Sequence, residues 1–173
     1  MTVACRDGGP EDAEGLAKLG RDSFVETFGH LYKEEDLAAF LDNHRVERWR
    51  EQLADPGFRI RIAEADGRPV GYAKLGPPSL PIEVTRPAIE LRQFYVLKPW
   101  QGSGLAAALM HWALGEARAS GAEELFLSVF IDNHRARRFY ARYGFSVVGQ
   151  FHFMVGNHAD DELLLRLELG DGE

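Results

Sequence analysis

The sequence predicts one α/β domain with a central mixed, mostly antiparallel sheet flanked by helices. Three observations carry that expectation. A chain of 173 residues, 45% of them hydrophobic, suits a single globular domain over 1–173 with enough chain to bury a core. Residues 90–130 run strand, glycine loop, long helix, strand, the pattern of parallel strands joined by a helical crossover. On either side, Asp66-Gly67 and Gly156-Asn157 punctuate β-rich stretches and call for antiparallel pairs.

The elements follow in order. Residues 2–6 read as a short strand closed by Asp7-Gly8-Gly9. Pro10 suits the first turn of a helix, and Glu11, Asp12 and Glu14 sit at the positive end of its dipole. Ala13, Leu16, Ala17, Gly20, Phe24 and Phe28 recur at helical spacing until Gly29 and His30 interrupt them. Glu34, Glu35 and Asp36 open a second helix that should bury Leu37, Phe40 and Leu41. Val46, Trp49 and Leu53 mark a third, stopped by Asp55-Pro56-Gly57. Residues 59–64 and 70–75 form the first hairpin. Residues 76–88 contain Pro77, Pro78, Pro81 and Pro87, so they form a stiff surface loop rather than a central strand. The strand at 91–96, the helix at 102–120 and the strand at 124–130 make the crossover. A short helix at 133–143 should bury Ala136, Phe139, Tyr140 and Tyr143, with Gly144 as its terminator. Strands at 145–155 and 163–169 finish the chain, the last with alternating leucines.

Charge and composition narrow the function. With 20 Lys+Arg against 27 Asp+Glu the formal charge is −7, which disfavours nucleic acid as a partner. A lone Cys5 supports neither a disulfide framework nor a cysteine zinc site. The six histidines form no i, i+4 pair, and no metal site is expected. The opening residues lack a signal-peptide pattern, and no apolar run approaches a membrane span of roughly 18–20 residues. The expectation is a cytoplasmic protein without a membrane partner.

The informative stretch is Val96-Leu97-Lys98-Pro99-Trp100-Gln101-Gly102-Ser103-Gly104-Leu105-Ala106. A helix start carries unpaired N–H groups and partial positive charge, and glycines let a phosphate approach the backbone. Gly102 and Gly104 could equally serve only to shape a turn. A nucleotide P-loop would need Gly-Lys-Ser/Thr, which is absent. Gly102, Gly104 and Ala107 satisfy GxGxxA, but Glu123 and Glu124 stand before the next strand and Asp132 beyond it, so the acidic partner of a dinucleotide site is misplaced. A dinucleotide-binding enzyme is therefore a minor alternative.

Gln101, Gly104 and Ala106 resemble the Gln/Arg-x-x-Gly-x-Gly/Ala signature of GNAT-type N-acetyltransferases. Asn133, Ala136, Phe139, Tyr140, Gly144 and Phe145 resemble that family's downstream N-x-x-A-x-x-F-Y-x-x-x-G-F pattern. Leu91 to Pro99 is also family-like, and residues 26–32 resemble the polyamine-acetylating, PaiA-like branch. The resemblance implies a GNAT-like fold and acetyl-CoA as co-substrate. Main-chain amides of Gln101, Gly102, Ser103, Gly104, Leu105 and Ala106 would hold the pyrophosphate. Phe94, Tyr95 and Val96 would pair with the pantetheine arm, and Asn133 would bond it from the second motif.

Arg135, Arg137, Arg138 and Arg142 crowd the helix at 133–143; Arg135, near the helix start, is the phosphate candidate, and Arg137 and Arg138 suit a solvated face. Tyr140 matches the position that protonates the departing thiolate, a role open to a phenol near pKa 10, although a core tyrosine fits the same pattern. Glu90 is the candidate base, and a solvent-facing glutamate fits there too. Phe28 and Tyr32 would shape the acceptor pocket. Cys5 lies in the first strand without a local base or cation motif, so the amine should attack directly. The partner is then a small amine or peptide amine, with a polyamine as first candidate, and a homodimer is compatible with the resemblance. A catalytically inactive CoA-binding regulatory module is the alternative.

Overall fold

The computed structural model describes residues 2–41 and 45–170. Its strands are β1 (Val3–Asp7), β2 (Arg59–Ala65), β3 (Arg68–Gly76), β4 (Ala88–Val96), β5 (Glu124–Phe130), β6 (Ser146–Val155) and β7 (His158–Glu168). Its helices are α1 (Ala13–Phe28), α2 (Glu34–Leu41), α3 (Val46–Ala54), α4 (Leu105–Ala119) and α5 (His134–Arg142). The strands form one seven-stranded sheet in the order β1-β2-β3-β4-β5-β7-β6. Every neighbouring pair is antiparallel except β4 with β5, so the expected mixed sheet is present. The parallel step is where α4 crosses over.

Each face of the sheet has its own cover. Leu109, Met110 and Ala113 of α4 pack on Ala73, Leu75, Leu125 and Leu127. On the other face, Leu16 and Ala17 of α1 and Trp49 of α3 pack on Ile60, Ile62 and Tyr72. Burial of these side chains is the main stabilising contribution. The hairpin expected at Asp66-Gly67 forms, with φ of 51° and 79° at the two residues, as a two-residue turn matched to strand twist requires.

Several local expectations are corrected. Pro10 lies in a separate 3-10 turn (Pro10–Asp12) before α1, and Asp12 there accepts the Gly9 N–H at 2.8 Å and pairs with Arg6 at 2.7 Å. β7 begins at His158, not at 163, because its polar start pairs with Phe151 and Phe153 of β6. Leu163, Leu164 and Leu165 are all buried, so both faces of that strand are covered and the expected alternation is lost. Leu37, Phe40 and Leu41 of α2 are only half-buried, since that helix rims an open cleft. In α5 only Tyr140 is fully buried for the same reason. The ends of the 1–173 domain and His44 lie outside the described residues. No helix among the described residues is long and apolar enough to cross a membrane.

At the β6–β7 turn, Gly156 has φ of 58°, and a side chain there would meet the Asp36 backbone at 2.6 Å. The turn thus seats against the start of α2, and Asp36 accepts the Asn157 N–H at 3.0 Å. This contact holds α2 over the cleft.

Candidate active site

β4 and β5 pair only at their starts, Ala88 with Glu124, Ile89 with Leu125 and Glu90 with Phe126. Beyond Glu90, β4 pairs only with β3, and beyond Phe126, β5 pairs only with β7. A register shift leaves Arg92 as an extra residue opposite Lys74 and Leu75, and such a bulge bends its strand. The two facing edges therefore diverge and expose backbone donors and acceptors, which an extended ligand can satisfy. A cleft of about 1290 Å³ opens at this gap.

On the α4 side, Gly102 and Gly104 have φ of 82° and 90°, and a Cβ at either would point into open space. That conformation is costly for other residues. The loop uses some of its amides internally: Gln101 donates to Lys98 O at 3.1 Å and Ser103 to Trp100 O at 3.2 Å. The first amides of α4, at Leu105, Ala106 and Ala107, have no i−4 carbonyl to bind; among the described residues only Leu105 finds a partner, Ser103 Oγ at 3.5 Å. The Gln101 side chain donates to Val96 O at 2.9 Å, tying the loop to the end of β4. Ser103 and Leu105 do not line the cleft: the Ser103 hydroxyl bonds Trp100 O, and the Leu105 side chain joins the core. They contribute at most their main chain.

Asn133 caps α5, its Oδ1 accepting from Ala136 N at 3.3 Å. Arg135 and Arg142 both line the cleft. Arg137, expected on a solvated face, instead donates to Ile131 O at 2.8 Å and braces the β5–α5 turn. Tyr140 is buried among the rings of Phe94, Phe139 and Phe145. Burial, with smaller contributions from Tyr95 and Glu162, pushes its phenol well above the usual range. Tyr95 is raised to about 12, again by burial first and Glu162 second.

The opposite wall carries acids, aromatics and a few cations. Tyr32 donates its hydroxyl to Asp160 and stacks on Phe24, whose ring also packs with Phe28 and Phe40. Glu162 is raised to about 8 by burial and by neighbouring Asp160. Lys74 is lowered to about 7 by burial and by Arg92 and Arg48; its ammonium bonds Gln52 at 2.7 Å and lies 4.2 Å from the centre of the Trp49 ring. Glu90 is buried rather than solvent-facing. It accepts from Ser79 N at 2.7 Å, Leu80 N at 3.1 Å and the Ser79 hydroxyl, with Arg92 at 3.5 Å. Arg92 also donates to Pro77 O at 2.8 Å. Glu90 and Arg92 thus clamp the proline-rich loop over the cleft.

The sequence profile of the Acetyltransferase (GNAT) family matches residues 19–145. The chain belongs to the GNAT family. An uncharacterized N-acetyltransferase of Mycobacterium tuberculosis is 37% identical over 159 residues, covering 91% of this chain and 98% of that protein. The aminoalkylphosphonate N-acetyltransferase of Salmonella typhimurium is 33% identical over 133 residues, covering 76% and 80%. The PaiA N-acetyltransferase of Thermoplasma acidophilum, crystallised with coenzyme A, shares the fold with a TM-score of 0.78 at 20% identity, covering 97% of this chain and 99% of that one.

As a GNAT enzyme, the protein is an acyltransferase that uses acetyl-CoA as co-substrate for N-acetylation. The unpaired β4 edge and the open glycines before α4 fit that ligand, a thin arm ending in phosphates. Of the residues expected at the site, all but Ser103 and Leu105 line the cleft. Sequence reasoning missed Lys74, Asp160 and Glu162. The two acids fall between the expected strands at 145–155 and 163–169; their i, i+2 spacing next to a strand is the available signal.

Proposed function

We propose that this GNAT enzyme moves an acetyl group directly from acetyl-CoA to a primary amine of a small molecule or peptide, with a polyamine as its preferred acceptor, in the cytoplasm. One observation carries the choice of acceptor: Asp160 and Glu162 stand side by side on β7 in an aromatic-walled lobe of the cleft. Carboxylates and ring faces both favour an ammonium group.

The remaining roles follow from placement. Amides of Gly102, Gly104 and Ala106, with Arg135, hold the pyrophosphate end, while Phe94, Tyr95 and Val96 present the strand edge to the pantetheine arm and Asn133 flanks it. Bound acetyl-CoA supplies the activated carbonyl. Tyr140 gives its proton to the departing sulfur, and Glu90 holds the 77–87 loop in place. Cys5 lies on β1, separated from β4 by β2 and β3, and burial raises its thiol, so a cysteine-borne acetyl group has no support.

A second reading has its own observation. Arg48, Lys74 and Arg92 also line the cleft, and they suit an acceptor carrying a carboxylate or phosphonate beside its amine. A panel of spermidine, an L-amino acid, an aminoalkylphosphonate and a peptide amino terminus, followed by thiol release, decides between them. The expected result is the highest kcat/KM for spermidine. Preference for the phosphonate or amino acid selects the second reading, and acetyl-CoA binding without thiol release on any amine selects an inactive CoA-binding module.

A further inference from the structure

The cleft is lined by the carboxylates of Glu90, Asp160 and Glu162. Two of these are already engaged. Glu90 binds the backbone of the proline-rich loop, and Asp160 takes the Tyr32 hydroxyl and lies 3.1 Å from His158 Nε2. Glu162 differs. Its Oε2 is buried with no hydrogen-bond partner among the described residues, an arrangement that native folds rarely tolerate without a use. β7 carries Glu162 opposite Phe130 and Phe151, beyond the point where β4 and β5 part. Its charge reaches both Tyr95 and Tyr140, so it faces the same gap as the proton donor.

We infer that Glu162 is the catalytic base, removing a proton from the acceptor's ammonium directly or through one water before attack. The inference rests on the reading that a primary amine enters by the acidic lobe. The surroundings of Glu162 suit proton removal, because burial and Asp160 raise its carboxyl to about 8, closer to an alkylammonium near 10 than an ordinary carboxylate would be. The groups facing it are Asp160 and His158 on β7, Tyr32 after α1, Tyr95 on β4 and Tyr140 on α5. In the ladders it stands opposite Phe130 of β5 and Phe151 of β6. None of these is a competing base: the phenols are raised, Asp160 is engaged by Tyr32, and His158 pairs through Nε2 with Asp160 and does not line the cleft.

The protons balance. Glu162 takes one from the ammonium, and the freed lone pair forms the N–C bond. As the C–S bond breaks, Tyr140 protonates the sulfur, and the second nitrogen proton restores the phenol. Glu162 returns its proton to water, leaving the amide, free CoA and one released proton.

The test compares wild type with Glu162→Gln, Glu162→Asp and Glu90→Gln on whichever amine the panel shows to be turned over. Wild-type kcat/KM should rise with pH through an inflection near 8, the ionisation of the free enzyme. Glu162→Gln should lose the inflection and about 10²–10⁴-fold in kcat, with the KM for acetyl-CoA changed less than about twofold. Glu162→Asp should keep an inflection at reduced rate. A higher amine KM with unchanged kcat and pH profile in Glu162→Gln makes Glu162 a binding group only and overturns the proposal. Loss of the inflection in Glu90→Gln alone overturns it as well. Poor turnover of spermidine beside good turnover of another amine removes the polyamine reading and leaves this one standing. Infrared difference spectra between wild type and Glu162→Gln need no turnover: absence of a protonated carboxyl band that disappears through pH 8 also refutes it.

Discussion

Replacing Glu162 with glutamine should make the protein more stable at pH 8 while leaving it almost unchanged at pH 5. The carboxyl has a folded pKa of about 8 against an ordinary 4.5. Folded protein therefore holds this proton more tightly than unfolded chain does. The resulting stability is fully present below pH 4.5 and is lost as pH rises through 8. Between pH 5 and pH 8 the two pKa values correspond to a loss of about 3.5 kcal/mol, reduced to about 3 kcal/mol by water in the open cleft. Glutamine keeps the shape and carries no charge, so Glu162→Gln escapes that loss. In a chain of this size its melting temperature should exceed wild type by roughly 6–12 °C at pH 8, and by little at pH 5. Calorimetry of the ligand-free protein across that pH range measures the difference. A gap between the two proteins that does not change with pH would refute the buried, unpaired state assigned to Glu162, and with it the tuned base.

Other substitutions separate binding, chemistry and stability. Tyr140→Phe keeps the ring among Phe94, Phe139 and Phe145, so stability should change by less than about 1 kcal/mol while kcat falls about 10²–10⁴-fold; wild-type turnover removes Tyr140 from the reaction. Gly104→Glu places a carboxylate and a strained backbone at φ of 90°, and should abolish the rise in melting temperature that acetyl-CoA gives wild type. Gly104→Ala should cost roughly 1–2 kcal/mol of stability yet retain part of that rise. Lys74→Met tests the opposite sign: the folded amine pKa of about 7 lies below its ordinary 10.5, so wild-type stability is fullest above pH 10.5 and is lost as pH falls through 7. The gain from Lys74→Met should therefore be larger at pH 6 than at pH 10 by about 3 kcal/mol, read from denaturant unfolding.

The parts of the fold legible in sequence were those written in local chemistry. Asp66-Gly67 fixes its hairpin because the turn needs two left-handed residues. The α4 helix was legible from its apolar period, and Gly144, with φ of 97°, ends α5 as expected. What stayed hidden depends on neighbours distant in sequence. The polar run starting at His158 becomes strand only because β6 supplies a ladder for it. The half-burial of α2 and α5 could not be read from their apolar stripes, since both helices border a gap whose existence depends on how β4 and β5 diverge.

The candidate site divides in the same way. The half proposed to receive acetyl-CoA is local: loop, glycines and helix start are consecutive residues, and one motif names them. The acceptor half is assembled from α1, β3, β4 and β7, and no contiguous pattern records it. That explains why Glu90 drew attention as the base while Glu162 did not: Glu90 lies next to the motif, whereas Glu162 comes into range only when β7 inserts between β5 and β6. It also explains how a chain of net charge −7 can bind a polyanionic co-substrate. In the proposed reading the phosphates would meet backbone amides and Arg135 on the α4–α5 side, while Asp160 and Glu162 of β7 line the acceptor side. Charge summed over the chain is blind to a cleft whose two walls have opposite needs.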